Sequence, residues 1–226
     1  MAREIPRPTL HPQGFKNAIE LPYGLRVAEI KAAVDELYDF FYNVNGFLLG
    51  KGWERLEEML AAAALSGLVS ELFVSALAKQ SSALVKNRWH NGRPDLLPVG
   101  FYENDRSLRA EEGIEVKASG RDGSWQGHNQ EKGWLMLCQY GSDTASEPAG
   151  ERQALKVVRI LCAQLEEADW KFSGRNPGSR RTPTATISKA KLLAGIVYVD
   201  RDVFPETEVK KRKTQAIVSD PRPESL

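Results

Sequence analysis

Apolar side chains recur at helical spacing along the first third of the chain. From about Arg26 they fall three or four residues apart with acidic residues mostly between them, which predicts a helix with one buried face. This stripe consists of Val27, Ile30, Val34, Leu37 and Phe41. We predict that the asparagine and glycine cluster "NVNGFLLGKG" ends this helix. A second helix is predicted at "WERLEEMLAAAAL", and Ser66-Gly67 leads into a third at "LVSELFVSALAKQSSALVKN".

After Trp89 the pattern changes to short apolar runs between turn residues. We predict strands at "PDLLPVG", "GIEVKA", "WLMLCQY" and "GIVYVD", of which "WLMLCQY" is apolar on both faces like a buried central strand. The run "KVVRILCAQL" fits either another strand or a helix over 151–167, and both interpretations stay open. A short helical turn is predicted at 188–193. A block of helices followed by strands defines an α+β or mixed α/β domain.

The length of 226 residues suffices for one well-filled core. We predict a single domain at 26–204, with a helical part at 26–90 and a sheet-rich part at 91–204. An N-terminal arm at 1–25 precedes it, and a polar, proline-dotted tail at 205–226 follows it.

Charge and cysteine content exclude several classes of protein. The net charge of +1 gives no global argument for a nucleic-acid or membrane partner. No stretch approaches the roughly 20 apolar residues of a membrane span, and Cys138 and Cys162 lie in apolar runs typical of reduced, buried thiols. We therefore predict a cytoplasmic protein without membrane association. With three histidines and no CxxC pair, a structural zinc site is not expected.

The segment from Arg93 to Ser119 contains three charged residues, Asp95, Glu115 and Lys117, which we call the trio. On the strand "GIEVKA" the period of two sets Glu115 and Lys117 on one face and Ile114 and Val116 on the other. If "DLLPV" and "IEVKA" are neighbouring strands, Asp95 stands beside them. Two converging carboxylates suit Mg²⁺ or Mn²⁺, and a lysine can stabilise charge on a phosphate. The alternative is a cross-strand pair of Glu115 and Lys117, with Asp95 capping a turn.

These residues resemble the signature of the PD-(D/E)xK nuclease superfamily, with "PD" at Pro94-Asp95 and "EVK" at Glu115-Val116-Lys117. The resemblance implies a restriction endonuclease-like fold, in which helices flank a central mixed sheet. It also implies a metal-dependent endodeoxyribonuclease, in one form a type II restriction-like enzyme, with Asp95 and Glu115 binding metal and Lys117 acting at the water or the phosphate. A homodimer is expected because one site per chain must cut two strands.

Further candidate residues follow from the resemblance and from local composition. Glu71 corresponds to an upstream helical glutamate that can bind metal, or it is an exposed helix residue. Gln130 either contacts bases or phosphates, or corresponds to a position after the lysine where the family often has a glutamine that supports the site. The loop after "GIEVKA" also carries groups that contact bases or phosphates, or it is a polar turn; these groups are Arg121, Ser124, Gln126, His128 and Asn129.

A second loop, "SGRNPGSRRTPTATISKAK", is basic without any acidic residue. Its cations suit contacts with the DNA backbone, although a solvated loop explains them as well; they include Arg175, Arg180, Arg181 and Lys189. Two other functions stay open for the chain. One is a non-catalytic DNA-binding or defence-system accessory protein on the same fold, and the other is a protein-interaction module.

Overall fold

The structure is a computed structural model that describes residues 6–16, 19–120, 126–127, 132–172 and 185–205. Four α-helices and nine strands lie within these ranges. The helices are α1 (Val27–Gly50), α2 (Leu56–Met59), α3 (Ala62–Gln80) and α4 (Lys189–Ala194). The strands are β1 (Leu84–Lys86), β2 (Leu96–Pro98), β3 (Ile114–Ser119), β4 (Gln126–Gly127), β5 (Gly133–Gly141), β6 (Lys156–Leu165), β7 (Trp170–Phe172), β8 (Ala185–Ile187) and β9 (Ile196–Val199).

The predicted apolar stripe of α1 is buried, but the helix does not end at the asparagine and glycine cluster as predicted. It continues to Gly50 because tertiary contacts hold its last turns. Asn45 is buried, donates to Glu57 Oε2 at 2.8 Å and accepts from the backbone N–H of Leu56 at 2.9 Å. The contacts of Asn45 with α2 therefore stabilise the end of α1, although the local sequence favours a turn there.

The boundaries of the second and third helices also differ from the prediction. Ser66-Gly67 lies inside α3, where a side chain at Gly67 would meet open space and Ser66 Oγ lies 2.9 Å from Tyr140 Oη. The predicted third helix stops early because Ser81 Oγ accepts from the backbone N–H groups of Ala83 and Leu84, both at 3.1 Å. Leu84–Lys86, near the end of that predicted helix, form β1 instead.

The main sheet has six strands in the order β1-β2-β3-β5-β6-β9. Its β3 and β5 strands are parallel and the other neighbours are antiparallel, so the sheet is mixed, and with its helices it makes an α/β fold. The segment "KVVRILCAQL" forms β6, so the strand interpretation is confirmed and the helix interpretation is wrong. The predicted helical turn is present as α4.

A second, three-stranded sheet in the order β4-β8-β7 was not predicted. Its strands are two or three residues long, too short for a periodic pattern to show in the sequence. The β8 residues lie within the stretch that the sequence presents as a basic loop.

Both faces of the main sheet are covered, and alternate residues of its strands enter two different cores. Ile114, Val116 and Met136 belong to the first core, which includes the buried faces of α1 and α3. Leu135 and Leu137 belong to the second, together with residues of β7, β8 and α4. Cys138 and Cys162 are buried and free, as predicted.

Helix α3 is long and apolar enough to cross a membrane by length and composition alone, contrary to the prediction that no stretch of the chain would be. In the structure, Leu65, Val69, Phe73 and Leu77 of this helix are buried in the first core. This packing is that of a core helix in a globular domain.

The segment before α1 lies along the outer edge of β9. Phe15 pairs with Tyr198, and the backbone N–H of Lys16 donates to Val197 O at 3.0 Å. Leu10 and Ile19 pack against the first core. The predicted arm thus covers an edge that would otherwise expose unpaired backbone groups.

Candidate active site

Asp95 immediately precedes β2, and its carboxylate lies against the middle of β3. The β2–β3 pairing is antiparallel with Leu96 opposite Ile114. Beyond this pair, Asp95 Oδ2 accepts the backbone N–H of Val116 at 2.8 Å. The side chain thus takes the place of the backbone acceptor that a longer β2 would have supplied, and it brings Asp95 beside Glu115 and Lys117.

Glu115 and Lys117 project from β3 on the face opposite to Ile114 and Val116. Lys117 Nζ donates to Glu115 Oε1. The parallel pairing with β5 sets Glu115 next to Leu135 and Lys117 next to Leu137, both residues of the second core. The alternation predicted for this strand is present, and the structure brings the trio together.

Glu115 is the most enclosed member of the trio, with only 8% of its surface exposed. Its Oε1 atom is engaged by Lys117, whereas its Oε2 atom is buried without a hydrogen-bond partner among the described residues. A buried carboxylate oxygen without a partner is costly. Such an oxygen is a fitting ligand for a hard cation.

The surroundings of Asp95 oppose its ionisation. Burial, and next the negative charge of Glu115, raise the pKa of Asp95 to about 6, against the lowering influence of Lys117 and of the Val116 N–H. Two carboxylates therefore share one ammonium in a place shielded from water. The trio itself carries one positive charge for two carboxylates, and a divalent cation would supply the positive charge that balances them.

Glu71 lies on α3 at the periphery of the trio. Its carboxylate accepts from Lys86 Nζ of β1 at 2.9 Å, and its side chain is 69% exposed. Its negative charge also raises the pKa of Asp95, but less than burial and the charge of Glu115 do. Glu71 is thus close enough to influence the site while being paired with a lysine.

A glycine allows β2 to approach β3 at this point. Gly113 has φ of +140°, and a side-chain Cβ there would lie 2.3 Å from Leu96 O and 2.4 Å from Pro94 Cγ. Tyr23 Oη accepts the N–H of Gly113 at 2.8 Å and donates to Glu112 at 2.7 Å. Sequence reasoning missed this residue, although a glycine directly before a strand is a signal of close backbone approach.

Asn87 and Ser70 hold the two strands of the site from either side. The Asn87 side chain donates to Pro94 O at 3.0 Å, and its backbone N–H donates to Asp95 O at 2.8 Å. Ser70 Oγ of α3 donates to Val116 O at 3.0 Å. Asp95 and Val116 are therefore fixed through their backbones. The contact between Ser70 and Val116 joins residues 46 positions apart, and it leaves no local signal in the sequence.

Most residues predicted to contact DNA lie outside the described residues. This applies to Arg121, Ser124, His128, Asn129, Gln130, Arg175, Arg180 and Arg181, and to the side chain of Gln126, whose backbone forms β4. Lys189 is exposed at the start of α4. Because Leu192 of the same helix lies in the second core, Lys189 belongs to the layer that covers the Glu115 face of the sheet.

Within the described ranges, no group of three or more His, Cys, Asp and Glu side chains is arranged to hold a metal ion. Mg²⁺ does not need such a group, because one or two carboxylates together with waters and substrate phosphates usually bind it. Asp95 and Glu115 match that smaller set.

Comparisons of the chain with protein-family models, curated proteins and solved structures returned no match. Functional inference therefore depends on the geometry of the trio.

Proposed function

We propose that the protein is a Mg²⁺-dependent endodeoxyribonuclease of the PD-(D/E)xK type, in the manner of a type II restriction enzyme. The observation that carries this proposal is the convergence of the trio, in which Asp95 reaches β3 and Glu115 Oε2 is buried without a partner in the described structure. Mn²⁺ has similar coordination preferences and serves as the alternative cofactor.

Asp95 and Glu115 would hold the cation between them. With both ionised they carry two negative charges against the single positive charge of Lys117. Burial first, and then the charge of Glu115, raise the pKa of Asp95 to about 6. When bound, Mg²⁺ supplies Lewis-acid polarisation of the phosphate and lowers the pKa of a coordinated water.

Lys117 has the geometry to act on the phosphate. Its ammonium lies at Glu115 Oε1 and its side chain is 26% exposed, so it can reach a substrate oxygen without a backbone movement. Hydrolysis forms a bond between a water oxygen and phosphorus and breaks the bond to one ester oxygen, which takes up a proton and leaves as an alcohol. Lys117 would neutralise the charge that builds on the phosphate oxygens along this path.

The partners follow from the reaction. A homodimer would present two sites to the two strands of DNA. The basic loop and Lys189 would contact the phosphates of the DNA backbone. Buried free thiols at Cys138 and Cys162 support a reducing, cytoplasmic location.

The test is incubation of the purified chain with plasmid DNA and Mg²⁺ or Mn²⁺, with EDTA as the metal-free arm. We expect metal-dependent nicking or linearisation, and loss of cleavage by roughly 100-fold to 1,000-fold in Lys117→Met, the range found when a charge-stabilising group is removed. Lys31→Met is the matched control, because Lys31 is exposed on α1.

Two outcomes would contradict the proposal. If Lys117→Met cleaves at the wild-type rate, the trio is not the catalytic site. If DNA binds and binding weakens with salt but no metal permits cleavage, the non-catalytic DNA-binding function replaces the nuclease.

A further inference from the structure

A cleft of about 240 Å³ adjoins the trio, and Glu115 lines its wall. It lies where β3 and β5 begin, on the face of the sheet covered by the second core. Its floor is apolar and includes Leu135, Leu165 and Trp170, all at least 95% buried members of that core. The apolar floor of the cleft thus meets the proposed reaction centre at Glu115.

The rim of the cleft is charged and exposed. Glu111 lies on the connection between β2 and β3 and supplies negative charge, whereas Arg93 and Lys132 supply positive charge. The Lys132 side chain is 70% exposed and lies 3.2 Å from Glu166. An apolar floor under a rim of both hydrogen-bond acceptors and donors suits a flat ring with polar edges.

The volume limits what the cleft can hold. Pockets for drug-sized ligands measure roughly 300–1,000 Å³, so this cleft is suited to a single ring system rather than a stacked pair of bases. We propose that it binds one unstacked nucleobase that carries an exocyclic amino group, next to the phosphate held at the trio. This proposal rests on the proposed function only in taking the base to belong to DNA.

Glu111 selects the base. A carboxylate only accepts hydrogen bonds, and amino groups such as cytosine N4 are its partners in base recognition. Arg93 and Lys132 donate to ring or carbonyl acceptors on the same base. Thymine presents carbonyl oxygens on both sides of its single N–H, so one of them would face the carboxylate. The cleft therefore favours cytosine, adenine or guanine over thymine.

The experiment compares single-stranded oligo(dC), oligo(dA) and oligo(dT) of equal length, each labelled for fluorescence anisotropy. EDTA prevents metal-dependent cleavage, and the three strands share the same backbone charge, so the salt-dependent part of binding is equal. We expect oligo(dC) and oligo(dA) to bind roughly tenfold more tightly than oligo(dT), within the range that one base contact supplies.

Two variants test the cleft itself. Glu111→Ala removes the acceptor at an exposed position that leaves the fold unaffected, and Ala110→Leu adds bulk to the lining. Each should abolish the preference while leaving the affinity for oligo(dT) unchanged. Glu103→Ala and Ala154→Leu are the matched controls, since Glu103 is an exposed acid of the same connection and Ala154 lies at the opposite end of the β5–β6 pair.

The outcomes separate this proposal from the nuclease proposal. Equal binding of the three strands, or a preference that survives in Glu111→Ala, overturns the base cleft even if plasmid is cleaved. A base preference that both variants abolish supports the cleft even if no metal permits cleavage. Absence of binding to all three strands overturns the cleft, whereas the nuclease proposal is still decided by cleavage of plasmid DNA.

Discussion

The trio and a second cluster of buried charge are built from the same kinds of side chain but differ in charge balance. The second, which we call the Arg55 cluster, consists of Arg55, Glu57, Glu58 and Arg152. It has two guanidinium groups for two buried carboxylates, and Arg152 also pairs with the exposed Glu147. Arg55 Nη1 donates to Gln153 O at 2.8 Å. The trio has one ammonium for two carboxylates.

The two clusters shift the pKa values of their carboxylates in opposite directions. Although burial acts to raise it, hydrogen bonds from Arg55 and Arg152 hold the pKa of Glu58 at about 2. Burial and Glu115 raise the pKa of Asp95 to about 6. The balanced cluster joins α2 to the β5–β6 connection. The unbalanced one is the site at which we propose that a cation binds. Charge balance, and not burial alone, distinguishes a structural cluster from a candidate site.

The largest effect is expected on stability when one carboxylate is neutralised in each cluster. Glu58→Gln leaves buried guanidinium groups without their shared partner and should lower the free energy of unfolding by about 3–5 kcal/mol. Glu115→Gln relieves the repulsion with Asp95 and should change it by less than about 1 kcal/mol. Urea unfolding at neutral pH measures both. Equal losses in the two variants would show that the trio is also a structural cluster.

A smaller effect is expected from added metal without DNA. Mg²⁺ binding to the folded state alone should raise the free energy of unfolding by about 2.7 kcal/mol at a concentration one hundred times Kd. Thermal unfolding with and without Mg²⁺ should show this gain in the wild type and in Glu103→Gln, and its absence in Glu115→Gln. An undiminished gain in Glu115→Gln would place the metal elsewhere.

The last effect is a difference in pH dependence, which is spread over several pH units. Asp95 has a folded pKa above its usual 3.8, so its contribution to stability is complete below pH 3.8 and is lost as pH rises through about 6. Glu58 has a folded pKa below its usual 4.5, so its contribution is complete above pH 4.5 and is lost as pH falls towards about 2. Unfolding from pH 3 to 7 should show these opposite trends as differences from Asp95→Asn and Glu58→Gln. Parallel trends would contradict the contrast between the clusters.

The sequence predicted the parts of the site that depend on local period. The alternation along β3 indicates that Glu115 and Lys117 share a face, because side chains of a strand alternate regardless of what surrounds it. The sequence predicted Asp95 beside this pair only if its segment neighbours β3, because the position of Asp95 depends on where β2 stops pairing with β3. That boundary is set by Asn87, Gly113 and Tyr23, which lie far from Asp95 in sequence or carry no periodic signal.

The same distinction explains the errors in the fold. The buried stripe of α1 follows from spacing, but its extension to Gly50 depends on the contact between Asn45 and Glu57. The Arg55 cluster was not predicted because its partners at Asp143, Gln153 and Arg152 are about a hundred residues away. Long-range contacts of this kind leave no local pattern.

Gly113 has a consequence for recognising relatives of this protein. An acidic residue, any residue and a lysine form a pattern too common to select a protein family, and the aspartate lies at a variable distance before it. Since no side chain fits at Gly113, chains that build the same site should also keep a glycine two positions before the glutamate, as in "GIEVK". Gly113, which has no functional group, is therefore the residue of the motif that best distinguishes relatives from chance matches.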